Sequence, residues 1–203
     1  MHVRLHHGDL PAPLENVSAV AIDTEAMGLN HHRDRLCVVQ LSSGDGTAHL
    51  VQIARGQTEA PNLAALLADP QIVKLFHFAR FDMGLLATTF GVMPQPVFCT
   101  KIASKLARTY TDRHGLKDLV RELLGEEISK QQQSSDWGAD TLSEAQQAYA
   151  ASDVEFLHAL RDKLTMMLRR EEREGLAQEC FRFLPVRVQL DLAGWPETDI
   201  FAH

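Results

Sequence analysis

The most constraining feature of this sequence is the stretch from Ser18 to Glu25, in which a short apolar run ends in two acidic residues. A short run of small and β-branched residues is typical of a buried strand. Asp23 and Glu25 are two positions apart, and strand side chains at that spacing point to the same side. Two carboxylates beside a buried strand are unfavourable unless a positive group neutralises them. The stretch therefore predicts a strand that carries a divalent-cation site.

Two later motifs supply further polar groups. Residues 77–82 follow a predicted strand and open a helix, which places Asp82 in its first turn. A capping-box pattern at residues 143–146 predicts the start of another helix, on which Tyr149 and Asp153 share a face because they are four positions apart. Taken singly, Asp82 also fits a helix cap, and the Tyr149–Asp153 pair also fits a surface hydrogen bond.

Together these motifs give four carboxylates and a phenol. Carboxylate oxygens suit hard cations such as Mg²⁺ and Mn²⁺. Two such ions, about 3.5–4 Å apart, can activate a water molecule and stabilise the leaving oxygen in phosphodiester cleavage. A phenol can both donate to and accept from that water. The predicted catalytic set is Asp23, Glu25, Asp82, Asp153 and Tyr149, of which the four acids are the metal ligands.

The order of predicted elements indicates an α/β fold. Three strands with a hairpin come first, and strands that alternate with helices follow, which is typical of a mixed sheet flanked by helices. The first predicted strand ends at Asp23, and the other four cover 36–42, 48–52, 72–76 and 97–100. The predicted helices cover 62–67, 81–89, 101–106, 116–124 and 144–173. We expect a domain over residues 1–180. Residues 181–203 are apolar without a clear helical period, so they are expected to form an arm that packs on its own domain or on a neighbouring subunit.

Composition narrows the functional classes. A formal net charge of −7 argues against binding duplex nucleic acid through a broad basic face. No apolar run approaches the roughly 20 residues that a membrane-spanning helix needs. The three cysteines are scattered and odd in number, which favours reduced thiols and a cytoplasmic location.

The acidic motifs resemble a known superfamily. Asp23-x-Glu25, His77-x₄-Asp82 and Tyr149-x₃-Asp153 resemble, in order and context, the three motifs of the DEDD 3′–5′ exonucleases. The tyrosine in the third motif is similar to that of the DEDDy branch of this superfamily, which includes ribonuclease D. The block at residues 133–137 also resembles ribonuclease D. Ribonuclease D has helical nucleic-acid-binding domains after its catalytic domain. This sequence ends about fifty residues after Asp153, so those domains are not expected here.

Over its whole length the sequence instead resembles the short nanoRNase C (NrnC) proteins, on segments 33–47, 99–106, 109–117 and 199–203. The resemblance implies a ribonuclease H-like fold, two divalent cations (Mg or Mn) and an octameric ring. It also implies 3′–5′ hydrolysis of very short RNA, above all 5′-phosphorylated dinucleotides. Close relatives are described with broader activity, so the alternative is a general exonuclease on longer RNA or on single-stranded or duplex DNA.

The resemblance also implies roles for the acids. Asp23 is expected to bridge both ions, Glu25 and Asp153 to complete the site of the water-activating ion, and Asp82 to hold the second ion. Tyr149 is expected to orient the attacking water. A catalytically inactive nucleic-acid scaffold on the same fold would be expected to lack one of these acids, and none is missing.

Seven further residues are predicted to contact substrate. Leu29 is either a wedge between two bases, as in similar short-RNA exonucleases, or a loop leucine tucked into the core. Met27 and Phe81 are expected either to contact bases or to fill the core. His77 is expected either to contact a substrate hydroxyl or phosphate or to end its strand. Trp137 is expected either to stack on a base or to anchor a loop. The full set is Thr24, Met27, Leu29, His77, Phe81, Ser135 and Trp137.

Basic residues and histidines give weaker signals. Lys101, Lys105 and Arg108 share a helical face, which is either solvated or a phosphate-binding rim at the 5′ end of the substrate. The pairs His6-His7 and His31-His32 lie in polar surroundings and are expected in solvated loops.

Overall fold

The computed structural model describes residues 1–129 and 131–203. Its strands are β1 (His2–His7), β2 (Ala19–Ala26), β3 (Leu36–Ser42), β4 (Thr47–Gln52), β5 (Val73–Phe76) and β6 (Val97–Cys99). Its helices are α1 (Pro61–Ala68), α2 (Ala79–Phe90), α3 (Thr100–Ala107), α4 (Leu116–Leu119), α5 (Glu144–Glu155), α6 (Leu157–Arg170) and α7 (Glu174–Leu192). A π-helical turn, Val120–Leu124, continues α4.

The strands form one six-stranded mixed sheet in the order β1-β4-β3-β2-β5-β6. Strands β2, β3 and β4 are antiparallel neighbours, and the turn at residues 43–46 joins β3 to β4. Strands β5 and β6 run parallel to β2, with α2 as the connection between them. Helices flank the sheet, so the predicted α/β, ribonuclease H-like architecture is confirmed.

The sheet is buried on both faces at its centre. Val38 and Val39, successive residues of β3, are both fully buried but belong to different apolar clusters. Successive strand residues point to opposite faces, so this alternation places packed side chains on both sides of the sheet. The central strand β2, with Val20, Ala21 and Ile22 fully buried, is therefore a rigid support for the acids that follow.

Strand β2 is longer than predicted. It continues to Ala26, and Glu25 pairs with Val38 of β3 before the register shifts between Glu25 and Ala26. The prediction that the strand ends at Asp23 is wrong because pairing with β3 extends it. Both acids therefore lie within a hydrogen-bonded strand.

Strand β1 was not predicted, because its sequence lacks the apolar pattern of a buried strand. It is an edge strand parallel to β4, and His6 Nε2 lies 3.0 Å from Nδ1 of His49 on that neighbour. His31 Nε2 likewise lies 3.0 Å from the carbonyl oxygen of Phe81. The expectation of solvated loop histidines is therefore wrong for His6 and His7, which lie in a strand, and for His31, which lies in a turn but is half-buried.

The chain after Arg173 forms a helix and a short terminal segment. Helix α7 has Pro185 in its interior and buries Phe181, Leu184 and Val188 in the main core. The boundary expected at residue 181 falls within this helix, and residues 193–203 follow it. The helix predicted over 144–173 is two helices, because α5 ends at Glu155 and α6 begins at Leu157.

Across residues 1–129 and 131–203, no helix has both the length and the apolar character needed to cross a bilayer.

Candidate active site

Three elements bring the acidic motifs together. Strand β2 carries Asp23 and Glu25, the first turn of α2 carries Asp82, and one side of α5 carries Tyr149 and Asp153. Because β5 is parallel to β2 and α2 starts just after β5, the first turn of α2 lies beside the acidic end of β2.

Helix α5 begins as its sequence predicts. The Ser143 hydroxyl accepts a hydrogen bond from the Gln146 backbone N–H, and the Gln146 side-chain oxygen accepts one from the Ser143 N–H. This capping box fixes the first turn of the helix. The start of α5 in turn fixes which of its residues face β2.

The carboxylates are close enough to share cations. One oxygen from each of Asp23, Glu25 and Asp153 lies within 4.8 Å of the others. Asp82 is 3% exposed, and its Oδ1 accepts a hydrogen bond of 2.6 Å from the Thr24 hydroxyl. Converging carboxylate oxygens are the donors that Mg²⁺ and Mn²⁺ prefer, so the residues fit the predicted type of ion.

The protonation behaviour of these acids reflects their crowding. Burial, followed by repulsion from Asp153 and Asp82, raises the pKa of Glu25 to about 9. Burial is also the main reason that the pKa values of Asp23 and Asp82 lie above their usual range. Among the described residues, no ion pair joins Asp23, Glu25 or Asp82 to a basic side chain. In the described part of the chain, these three acids are therefore not balanced by an ion pair, and a bound metal ion would relieve their mutual repulsion.

Tyr149 is the neutral member of the cluster. Burial raises the pKa of its phenol, and the charges of Asp153, Glu25 and Asp23 and a side-chain hydrogen bond with Asp153 act in the same direction. The phenol therefore stays protonated at neutral pH. It can donate one hydrogen bond and accept another at the edge of the carboxylate cluster.

A cleft of about 660 Å³ contains the whole predicted set. All twelve sequence-predicted site residues line it: Asp23, Thr24, Glu25, Met27, Leu29, His77, Phe81, Asp82, Ser135, Trp137, Tyr149 and Asp153. The structure thus brings together residues from segments as far apart as 23–29 and 149–153.

The loop after β2 presents apolar side chains to the cleft. Leu29 is 84% exposed and Met27 is 53% exposed. The alternatives that placed these two residues in the core are therefore wrong. Phe81 is half-buried, and its ring packs on that of His31 with centroids 5.0 Å apart.

The opposite wall is more tightly packed. Trp137 is 3% exposed, and its ring lies against Tyr149 with centroids 5.9 Å apart. Its indole N–H has no hydrogen-bond partner among the described residues. Ser135 donates to the Gln132 carbonyl, and His77 Nδ1 lies 2.9 Å from the Thr100 hydroxyl. The geometry of Trp137 thus favours support of Tyr149 over direct stacking on a base.

Other residues also line the cleft, among them Phe78, which was not predicted, and Lys101, which was predicted only as part of a solvated face or a phosphate-binding rim. Phe78 has left-handed backbone angles (φ +68°) and is 45% exposed, and the Lys101 ammonium lies 4.3 Å from its ring centre. Lys117 also lines the cleft. The helical spacing of Lys101, Lys105 and Arg108 predicted a phosphate-binding rim as one of two alternatives. Nothing in the sequence distinguishes Phe78 from the other aromatic residues. Arg108 is fully buried and bonds to Glu122, so it lies neither on a solvated face nor on a phosphate rim.

Comparisons with known proteins agree with this geometry. A sequence model of the 3′–5′ exonuclease family matches residues 8–169. A structure of Brucella melitensis NrnC bound to pGG is similar over 100% of this chain and 99% of its own, with 62% identity and a TM-score of 0.97. A second structure, Brucella melitensis NrnC with bound Mg²⁺, has 61% identity, a TM-score of 0.96 and full coverage of both chains.

Ribonuclease D from Gluconacetobacter diazotrophicus is 42% identical over 156 residues, which are 77% of this chain and 38% of that protein. The chain thus spans about two fifths of the length of such ribonuclease D proteins. The fold and the acidic cleft define an exonuclease domain of the ribonuclease H-like class. The chain belongs to the 3′–5′ exonuclease family and, within it, to the NrnC proteins.

Proposed function

We propose that this protein is a metal-dependent exoribonuclease of the DEDDy type that hydrolyses very short RNA from the 3′ end. Its main substrates are 5′-phosphorylated dinucleotides, which it converts to 5′-mononucleotides. The observation that carries the proposal is the single cleft in which four carboxylates meet Tyr149 and the exposed Leu29.

The acids are the proposed ligands of two divalent cations, Mg²⁺ or Mn²⁺. Asp23, Glu25 and Asp153 offer oxygens within 4.8 Å of one another, and Asp82 completes the set from α2. When bound, the ions supply Lewis-acid activation of water and neutralise charge on the leaving oxygen. The Mg²⁺ in the structure of the Brucella relative supports this assignment.

The side chains around the acids position the reactants. Tyr149, protonated and held by Asp153, orients the attacking water through its hydroxyl. Thr24 fixes the Asp82 carboxylate through its 2.6 Å hydrogen bond. The water oxygen forms a bond to the scissile phosphorus while the bond from phosphorus to the ribose 3′-oxygen breaks. That 3′-oxygen takes up a proton, and a 5′-mononucleotide leaves.

The preference for short RNA rests on the shape of the cleft. Leu29 projects from the loop after β2 into the cleft with 84% of its surface exposed, and we assign it the role of a wedge between two bases. An exposed leucine beside a catalytic cluster is unfavourable in water, so contact with a base would repay its exposure. The pGG bound to the Brucella relative supports the preference for a short substrate.

The test is a time course with Mg²⁺ or Mn²⁺ on four substrates: a 5′-phosphorylated RNA dinucleotide, a seven-nucleotide RNA, single-stranded DNA and duplex DNA. We expect cleavage of the dinucleotide to be faster by orders of magnitude. Comparable rates on all four would instead identify a general 3′–5′ exonuclease. The absence of cleavage with either metal would overturn the proposal.

Leu29 provides a sharper test. Leu29→Ala is expected to lower kcat/KM on the dinucleotide by at least about tenfold, because it removes the apolar contact that Leu29 would make with the bases of the bound dinucleotide. Leu176→Ala is the matched control, since Leu176 is 56% exposed on α7 and does not line the cleft. Equal effects of the two substitutions would exclude the wedge.

We also propose that the protein forms a homo-oligomer in the cytoplasm. Trp195, Ile200 and Phe201 expose 48%, 47% and 76% of their surfaces in the terminal segment. Large apolar side chains exposed together favour an interface, which supports the proposed homo-oligomer. The proposed cytoplasmic location is supported by the three cysteines, which are free, as in a reducing compartment. Sedimentation equilibrium tests the octamer that the family resemblance implies, and a monomer at micromolar concentration would contradict assembly.

A further inference from the structure

The terminal segment, residues 193–203, folds back and is held by two arginines through its backbone. Arg80 Nη2 donates to the Pro196 carbonyl at 2.5 Å. Arg187 Nη2 donates to the Trp195 carbonyl at 2.5 Å, and its Nη1 donates to the Thr198 carbonyl at 3.3 Å. Because the acceptors are backbone oxygens, the arginines fix the path of the segment over residues 195–198.

A buried acid orients both arginines. Asp191, 9% exposed, accepts two hydrogen bonds from Arg80, at 2.5 and 2.7 Å, and one of 3.1 Å from Arg187 Nε. Paired, charge-assisted hydrogen bonds of this kind fix geometry as well as adding stability. Arg80 lies in the first turn of α2, two residues before Asp82. The terminal segment is therefore tied directly to an element of the candidate active site.

The segment forms one wall of a second cavity beside the substrate cleft. This cavity has a volume of about 310 Å³ and shares Leu29, Phe78 and Phe81 with the cleft. Its far wall includes Pro196 and Glu197. RNA that continued past Leu29 and Phe81 would therefore meet the terminal segment.

The charges on that wall oppose a phosphodiester. Arg80 also lines the cavity, but its charge is paired with Asp191, to which it donates twice, and it donates once more to the Pro196 carbonyl. Two carboxylates line the cavity: Asp191, which is paired with Arg80 and Arg187, and Glu197. The remaining titratable lining residues are histidines, so Glu197 carries the negative charge that Arg80 does not pair through a hydrogen bond. The substrate cleft differs, because Lys101 and Lys117 line it. Phosphate is thus favoured on the lysine side and disfavoured on the terminal-segment side.

We propose that the terminal segment limits substrate length and that Glu197 is the residue that determines this specificity. Its carboxylate and the clamped backbone close the side of the site that a third nucleotide would enter. The inference rests on the proposed function, since it concerns the length of the RNA that the same cleft accepts.

The test compares kcat/KM for 5′-phosphorylated RNA of two, three and seven nucleotides. Glu197→Lys is expected to raise the ratio of three-nucleotide to two-nucleotide kcat/KM by about tenfold, which corresponds to about 1.4 kcal/mol. Glu197→Gln is expected to raise it less. Glu15→Lys is the matched control, because Glu15 is exposed in the loop before β2, at the opposite end of that strand from Asp23. An unchanged ratio in Glu197→Lys, or an equal change in Glu15→Lys, would overturn the inference.

A second variant addresses the clamp. Arg187→Gln removes the donors to Trp195 and Thr198 while Arg80 still neutralises Asp191, and it is expected to raise the same ratio. A wild-type protein that cleaves none of these RNAs with metal present would refute the proposed function itself, and the inference with it. A wild-type protein that cleaves the dinucleotide and variants that leave the ratio unchanged would refute the inference alone.

Discussion

Two groups of carboxylates in this chain, one buried and one half-buried, are arranged in opposite ways. Asp191 faces two guanidinium groups and accepts three hydrogen bonds from them. Asp23 and Glu25 instead face other acids, with oxygens that approach within 4.8 Å. The first arrangement is balanced within the protein, and it ties α2 to α7. In the second, no ion pair among the described residues balances Asp23 or Glu25, so their charge is available to a cation.

The difference separates structural charge from functional charge. A buried acid that is paired contributes to a stable fold, and loss of one partner leaves the other unpaired. Acids that repel one another raise their own pKa values and reduce stability until a cation binds. The following predictions use this contrast, from the largest expected effect to the smallest.

Asp23→Asn is expected to lower kcat on the RNA dinucleotide by about 10³-fold or more, because it removes an acid proposed to bind both ions. It is not expected to reduce the unfolding free energy of the metal-free protein, since it removes a repelling charge. Steady-state kinetics measures the expected loss of kcat, and urea unfolding without metal measures the unfolding free energy. Near-full metal-dependent activity in this variant would show that the site is wrongly assigned.

Asp191→Asn is expected to have the reverse profile. It leaves Arg80 and Arg187 without a carboxylate, so the unfolding free energy should fall by about 3 kcal/mol. Urea unfolding measures this change. Asp162→Asn is the matched control, because Asp162 pairs with Arg161 on the surface and should cost less than about 0.5 kcal/mol. Similar losses for both variants would contradict the distinction.

Tyr149→Phe is expected to lower kcat about 100-fold while KM changes little, because the hydroxyl orients water without binding the substrate strongly. The ring contact with Trp137 is retained in this variant. Tyr110→Phe serves as the control, since Tyr110 is 71% exposed and lies outside the cleft. A KM effect that equals the kcat effect would point to a substrate-binding role instead.

The stability of the metal-free protein should depend on pH. The pKa of Glu25 is raised to about 9 from a usual value near 4.5, so the folded state binds protons more tightly than the unfolded state. The unfolding free energy should therefore fall as the pH rises through this interval, by at most about 1.4 kcal/mol per pH unit for one group. Saturating Mg²⁺ should flatten this slope, and chemical unfolding from pH 5 to 9 measures it. A stability that rises with pH would contradict the repulsion.

Local patterns predicted much of the fold and the placement of the site. The i, i+2 acids of β2, the capping box of α5 and the i, i+4 pair on that helix are all confirmed as structural features. Each depends on residues near one another in sequence, where strand and helix periodicity determines direction. Local periodicity does not bring residues 23–29 and 149–153 together, and the grouping of the twelve residues that line one cleft followed from the resemblance to the exonuclease motifs.

Features that depend on distant contacts were not predictable. The edge strand β1 carries polar residues and forms because β4 offers it hydrogen bonds. Arg108 looks solvated by helical spacing, yet it is buried because Glu122 and the Arg113 carbonyl accept its hydrogen bonds. The end of the chain reads as an arm, whereas its first half completes α7 in the main core. In each case the partner lies elsewhere in the sequence.

The most direct test of the central claim is a calorimetric titration of Mn²⁺ into the wild-type protein, Asp23→Asn and Asp191→Asn at one pH. If the repelling acids are the metal site, the wild-type protein and Asp191→Asn should bind Mn²⁺, and Asp23→Asn should lose most of that binding. Equal Mn²⁺ binding by the wild-type protein and Asp23→Asn would show that these carboxylates are not the metal site.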